Sequence, residues 1–153
     1  MYEYKATLDR VVDGDTIDLN IDLGFDTWIH KMRVRVHHVD TPEKRTRDPL
    51  EKFFGYLASD YVLDKLINAN KIIVKTTLDG PRDKYGRVLG VIWVDDDATS
   101  LNDQLIENHY AVKYEGQNKS LVEAEHINNM KTLVEGNEVT LTSDLQELYN
   151  QLP

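Results

Sequence analysis

The stretch from Arg33 to Glu43, R-V-R-V-H-H-V-D-T-P-E, concentrates groups that can act on a phosphate ester. Arg35 supplies a guanidinium that stays charged, Asp40 and Glu43 supply carboxylates, and Thr41 presents a backbone carbonyl fixed by the following Pro42. Hard oxygen donors beside a permanent cation and a free carboxylate are the parts that metal-assisted hydrolysis of a phosphodiester needs. Two other segments carry similar groups. Asp13-Gly14-Asp15-Thr16 places acids around a glycine, and Asp83-Lys84-Tyr85-Gly86-Arg87 places three charges and an aromatic ring around another. Each of them, taken alone, is also ordinary turn chemistry.

The elements that position these groups follow from periodicity. Arg33 to Val36 alternates with period two, so a strand running from about Trp28 to Val39 delivers Asp40 and Glu43 to a loop just past its end. Residues 4–12 and 16–23 also alternate, and with the Asp13-Gly14-Asp15 turn they predict a β-hairpin. The chain therefore opens as a three-stranded meander, the usual beginning of a small barrel. Asp48-Pro49-Leu50-Glu51 then reads as an N-cap, a proline at N1 and an acid at N3. The apolar series Leu50, Phe53, Phe54, Leu57, Ala58, Tyr61, Val62 and Leu66 predicts a helix to about Ile67 that must pack on the sheet. Strands over 71–77 and 88–94 flank the segment that holds Asp83 to Arg87. Ser100 with Asp103 and Ser120 with Glu123 predict capped helices, the second burying Leu121, Ala124, Ile127 and Met130 and stopping at Gly136. Beyond it, V-T-L-T suggests a short strand and S-D-L-Q-E-L-Y-N-Q-L a capped amphipathic helix.

With 153 residues and no cysteine, the chain fits one domain with a tail and excludes disulfides, thiolate catalysis and cysteine-based zinc sites. It opens without a signal-peptide core and holds no run of membrane-spanning length, so the expectation is a soluble, cytoplasmic monomer. The net charge of −9 argues against a generic nucleic-acid binder. Its distribution reverses that impression: residues 1–94 are balanced, and the whole acidic excess lies in residues 95–153. Lys31, Arg33, Arg35, Lys44, Arg45 and Arg47 make the central stretch locally basic. His30, His37, His38, His109 and His126 show no ligand spacing and read as partly exposed or core-packed. Asp95-Asp96-Asp97 reads as a solvated loop.

The order of the motifs is more specific than any one of them. D-G-D-T at a strand turn, V-D-T-P-E with its aspartate five residues after Arg35, a helix, and D-K-Y-G-R before a fifth strand together closely resemble the staphylococcal nuclease (thermonuclease-like) family. The resemblance covers about Val11 to Met130. It implies an α+β fold, a five-stranded OB-fold β-barrel with three helices over residues 1–135, followed here by a short C-terminal extension, 136–153. It also implies a Ca²⁺-dependent, sugar-non-specific endonuclease that cleaves DNA and RNA to 3′-phosphate ends. Asp15 and Asp40 would bind Ca²⁺ through carboxylates and Thr41 through its carbonyl. Glu43 would be the general base, Arg35 and Arg87 would hold the scissile phosphate, and Lys84 and Tyr85 would lie beside the nucleotide. Tyr114 is a further candidate at that position. A barrel with one stacking tyrosine and a narrow basic rim suits single strands better than duplex, and a phage or plasmid origin would suit a non-specific nuclease. A different class of function, a non-catalytic OB-fold module that binds nucleic acid or protein, would use the same fold but not require all six of Asp15, Arg35, Asp40, Thr41, Glu43 and Arg87.

Overall fold

The structure, a computed structural model, describes residues 2–76 and 87–153. The hairpin forms where the alternation and the Asp-Gly turn place it: β1 (Tyr2–Asp13) pairs antiparallel with β2 (Thr16–Asp22). β2 pairs with β3 (Trp28–Val36), and β1 also pairs with β5 (Ile72–Thr76). β5 pairs with β6 (Val88–Val94), which closes on β3 in parallel, giving the barrel order β1-β2-β3-β6-β5. Inward side chains of all five strands fill the barrel; Ile17, Leu19, Val34, Val74 and Ile92 are at most 1% exposed, and Ala6 of β1 is 8% exposed.

β3 ends earlier than the alternation predicts. Its parallel ladder with β6 stops at Val36–Gly90, and His38 takes a left-handed φ of 64°. His tolerates this region better than most residues. The chain is thereby turned so that a separate short strand, β4 (Val39–Asp40), pairs with β7 (Val112–Lys113) outside the barrel. Buried Asn102 holds the corner: its amide donates to the carbonyls of His37 (2.9 Å) and Gly90 (3.2 Å) and accepts from the Ile92 N–H.

Among the described residues four helices surround the barrel. In α1 (Pro49–Ile67) Asp48 caps the N-terminus by accepting from the N–H groups of Leu50 and Glu51, as its sequence predicts. α2 (Leu101–Glu107) starts at Ser100, which accepts from Asp103 N–H. α3 (Lys119–Glu135) starts two residues earlier than its Ser-x-x-Glu pattern suggests, because Asn118 accepts from Leu121 N–H while the Ser120 hydroxyl donates to Asn118. Its buried side is also shifted. Met130 and Leu133 are buried, whereas Leu121 is 53% exposed and Ala124 is exposed too.

V-T-L-T is not a strand. It runs as an irregular segment into α4 (Ser143–Asn150), capped by Thr142. Val139, Leu141, Leu145, Leu148, Tyr149 and Leu152 pack onto a second core of Leu50, Phe54, Met130 and Leu133. α1 thus serves two cores, giving Val62 and Leu66 to the barrel and Leu50 and Phe54 to the C-terminal layer. The Asp95–Asp97 run is not merely solvated. Asp95 accepts from the N–H groups of Asn70 and Lys71, and Asp97 pairs with Lys65 at 2.8 Å. Among the described residues no helix is long and apolar enough to cross a membrane.

Candidate active site

Three pieces of chain meet at one end of the barrel: the β1–β2 turn, the end of β3, and the β4 strand with the Thr41-Pro42-Glu43 segment. The β1–β2 turn fits beneath α1 because Gly14 has no side chain. A Cβ there would stand 2.8 Å from Ala58 Cβ and 2.9 Å from Thr41 Cγ2. Gly55 does the same from the helix side: a Cβ would fall 2.6 Å from the Glu43 carbonyl oxygen. α1 therefore lies directly on the Pro42–Glu43 backbone and fixes it.

Asp15, 7% exposed, is the hub. Its carboxylate accepts from Thr41 N–H (3.1 Å) and from the Thr16 hydroxyl (3.1 Å). Arg35 Nη1 lies 3.4 Å from the same carboxylate, and Nη2 lies 3.7 Å from Asp40 Oδ1. The guanidinium is steadied by the carbonyls of Asp15 (3.3 Å) and Val36 (3.1 Å), to which Nη1 also donates. It stands between two carboxylates as their counter-charge. Arg87, just before β6, donates to the Thr16 hydroxyl at 3.4 Å. Glu43 is exposed to water at its tip, yet its carboxyl is raised to about 7. Desolvation by the surrounding protein is the larger cause, and the negative charges of Asp15, Asp13, Asp40 and Glu51 add to it.

The structure thus brings together Asp15, Arg35, Asp40, Thr41 and Arg87, with Glu43 within reach of their charges. Lys84 and Tyr85 lie outside the described residues. Tyr114 is 41% exposed, and its N–H is tied to the His38 carbonyl at 2.8 Å.

Family comparison agrees with this arrangement: residues 33–141 match the staphylococcal nuclease homologue family. The chain belongs to that family. Over 117 residues it is 36% identical to endonuclease YhcR of Bacillus subtilis, an alignment that covers 73% of this chain and 9% of that protein. It is 37% identical over 90 residues to the SPbeta prophage-derived endonuclease YokF of B. subtilis, covering 59% of this chain and 28% of that one. The thermonuclease of Staphylococcus intermedius is 38% identical over 89 residues, covering 58% and 48% respectively. The chain therefore spans less than half the length of each of these relatives.

One residue at this staphylococcal-nuclease-like site was not foreseen. His126 Nε2, from α3, lies 2.7 Å from Asp40 Oδ2, and both side chains are largely shielded from water. An ionised carboxylate can only accept, so Nε2 carries the proton in this contact. The signal was available in the helical register, since His126 shares a face with the buried Met130 and Leu133 at spacings of four and seven.

The donor set fits a hard divalent cation. Asp15, Asp40 and the Thr41 carbonyl are all oxygen ligands, and each carboxylate keeps lone pairs beyond its present contacts. Thr41 Oγ1, buried without a hydrogen-bond partner among the described residues, adds a further oxygen at the same point. No group of three or more His, Cys, Asp or Glu side chains that could hold a metal occurs among the described residues. A cation here would take its remaining ligands from carbonyl, water or substrate oxygens.

Proposed function

We propose that this domain is a Ca²⁺-dependent endonuclease that hydrolyses phosphodiester bonds of DNA and RNA. The observation that carries the reading is the placement of Arg35 between Asp15 and Asp40, whose charges also act on Glu43, a carboxylate raised to about 7. A general base works best when its pKa lies close to the working pH. The names of the relatives, two endonucleases and a thermonuclease, support the same class of reaction. The prophage origin of one of them accords with a mobile-element source.

In this reading Asp15, Asp40 and Thr41 hold Ca²⁺, which when bound polarises the scissile phosphate and offsets its charge. Glu43 takes a proton from a water whose oxygen attacks phosphorus. The phosphorus–5′-oxygen bond then breaks, the leaving 5′-oxygen takes up a proton from solvent, and a 3′-phosphate end remains. Arg35 and Arg87, which cannot lose their protons, neutralise the charge that develops on the equatorial oxygens of the phosphorane. Lys84 and Tyr85 contact the neighbouring nucleotide. A base can stack on a ring only where it is not already stacked in a helix, so single strands are the preferred form. The domain acts as a monomer. A non-catalytic binding module would give no reason for a partly desolvated carboxylate at Glu43.

The test is cleavage of matched single- and double-stranded DNA and RNA with Ca²⁺, Mg²⁺ or a chelator. Ca²⁺-dependent cutting, faster on single strands, is expected. Glu43→Gln, Arg35→Ala and Arg87→Ala should each lower turnover by a factor on the order of a hundred with the fold retained. Full turnover in Glu43→Gln would remove the general-base role.

A further inference from the structure

The seam between β1, the start of α1 and the loop after Glu43 forms an open groove of about 610 Å³. Its walls carry Arg10, Lys44, Arg45, Arg47 and Lys52 together with Tyr56, against a single carboxylate, Asp13. This concentration of cations stands out in a chain of net charge −9. Arg10 is 3.6 Å from Asp18 and is thus partly neutralised. Among the described residues no salt bridge joins Lys44, Arg45, Arg47 or Lys52 to an acid. Like charges crowded along one groove repel, so the arrangement is stabilised by anions that settle there.

Two details make the groove a built surface rather than a loose cluster. Lys44 Nζ donates to the Val12 carbonyl (3.1 Å) and the Ser59 hydroxyl (3.3 Å) and lies 4.8 Å over the Tyr56 ring, so its charge is held in place. Tyr56 is 46% exposed and offers apolar surface between cations. The groove also adjoins the site described above. Asp13 in its wall lies two residues before Asp15, and Glu43 precedes Lys44 directly in the chain. Beyond Arg10, Lys44 and Tyr56 it continues as a second groove along β1 and α1 towards Ile72.

We propose that this basic groove is a second nucleic-acid subsite, which binds the sugar–phosphate backbone of a single strand on the Glu43 side of the bond to be cut. It rests on the nuclease reading for its substrate class. Clustered cations match phosphates in any sequence, and a ring between them suits base stacking, which is the combination that holds single strands without sequence preference. Its volume falls within the roughly 300–1,000 Å³ of small-ligand sites, enough for a few nucleotides. Substrates longer than a dinucleotide would gain affinity here that short ones cannot.

The test compares wild type, the triple variant Arg45→Ala/Arg47→Ala/Lys52→Ala, its charge-retaining counterpart Arg45→Lys/Arg47→Lys/Lys52→Arg, and a control, Lys5→Ala/Lys31→Ala/Lys119→Ala, with the same charge change elsewhere. Binding of a fluorescent 20-nucleotide single strand is measured by anisotropy in chelator at several salt concentrations. Cleavage of a dinucleotide substrate is measured with Ca²⁺. The alanine groove variant should bind the long strand about ten-fold or more weakly at low salt. Each lost phosphate contact on a single strand removes about 0.7 from the log–log salt slope, so the slope should fall by about 2. The charge-retaining variant should restore both, and dinucleotide cleavage should match wild type. An unchanged slope in the alanine variant, or an equal loss in the control, would overturn the subsite, as would a wild type that does not bind the long strand. Groove-dependent binding by a protein that cuts nothing would leave the subsite standing while the hydrolase reading fell.

Discussion

His126 Nε2 sits 2.7 Å from Asp40 Oδ2 and so joins α3 to the strand that carries the proposed metal ligand, across 86 positions of sequence. The contact leaves Asp40 Oδ1 to Arg35 and fixes the rotation of the carboxylate. Groups that hydrogen-bond a ligand typically alter metal affinity by about ten-fold or more when removed. His126→Ala should therefore weaken Ca²⁺ binding by about that factor in calorimetric titration, and His126→Gln, which keeps a donor, should recover part of it. Unchanged affinity in His126→Ala would mean that Asp40 is oriented without α3.

Glu43 carries a pH signature in the metal-free protein. Its carboxyl is raised from 4.5 to about 7, so the folded chain binds this proton more tightly than the unfolded chain does. The resulting stabilisation is complete below the unfolded value and is lost as the pH rises through the folded one. Metal-free protein should therefore lose stability between pH 4.5 and about 7, and Glu43→Gln should lose less over that window. Melting curves across this range check it, and a parallel decline in both proteins would place the titration elsewhere.

Asp18 and Arg33 form a fork, with Nε to Oδ1 at 2.9 Å and Nη2 to Oδ2 at 3.0 Å. Their environments differ: the Asp18 side chain is 9% exposed and that of Arg33 45%. Removing Arg33 leaves a buried carboxylate with only the more distant Arg10, whereas removing Asp18 leaves a solvated cation. Arg33→Met should therefore cost about 2 kcal/mol, more than Asp18→Asn, in denaturant unfolding at neutral pH. The Arg33 hydrogen bonds hold the Asp18 carboxyl below its model-compound value of 3.8. The pair's contribution is therefore present above that value and is lost as the pH falls through the lower, folded one. Equal costs for the two variants would show that the burial asymmetry does not govern the pair.

Truncation after Gly136 should destabilise the domain. It removes Val139, Leu141, Leu145, Leu148, Tyr149 and Leu152 from the core they form with Leu50, Phe54, Met130 and Leu133. Re-exposing that surface should lower Tm by more than about 5 °C. The KM for a dinucleotide should stay unchanged if the extension acts through packing alone. An unaltered Tm with a lower KM at low salt would instead assign the acidic segment an electrostatic role.

The elements were largely legible because their signals are local. Alternation in β1 and β2, the Asp48-Pro49 cap and the apolar face of α1 each specify backbone hydrogen bonds or burial within a few residues. The proposed site residues were legible for a different reason, namely that their order along the chain matches a family. The errors fall where a distant partner decides the outcome. β3 stops at Val36 because its parallel ladder with β6 ends there and Asn102 takes the next carbonyl. Leu121 and Ala124 are exposed although the helical pattern would bury them, because α3 meets the rest of the fold chiefly through Met130 and Leu133.

By itself, then, the sequence determined the five barrel strands and the helices but not the short β4–β7 pair, and it determined the charge balance and which side chains could work on a phosphate. Tertiary structure decided which of them meet. Gly14 and Gly55 matter because other backbones and side chains approach within 3 Å of where a Cβ would be. Arg35 bridges Asp15 and Asp40 only once β3 has paired with β2 and the turn at His38 has brought β4 alongside. Glu43 is raised by desolvation and by carboxylates remote in the chain, His126 reaches Asp40 only through the docking of α3, and the basic groove exists only where β1, α1 and the loop after Glu43 meet. Electrostatics and close packing depend on distance in space, and in these cases that distance is set by contacts across the whole fold.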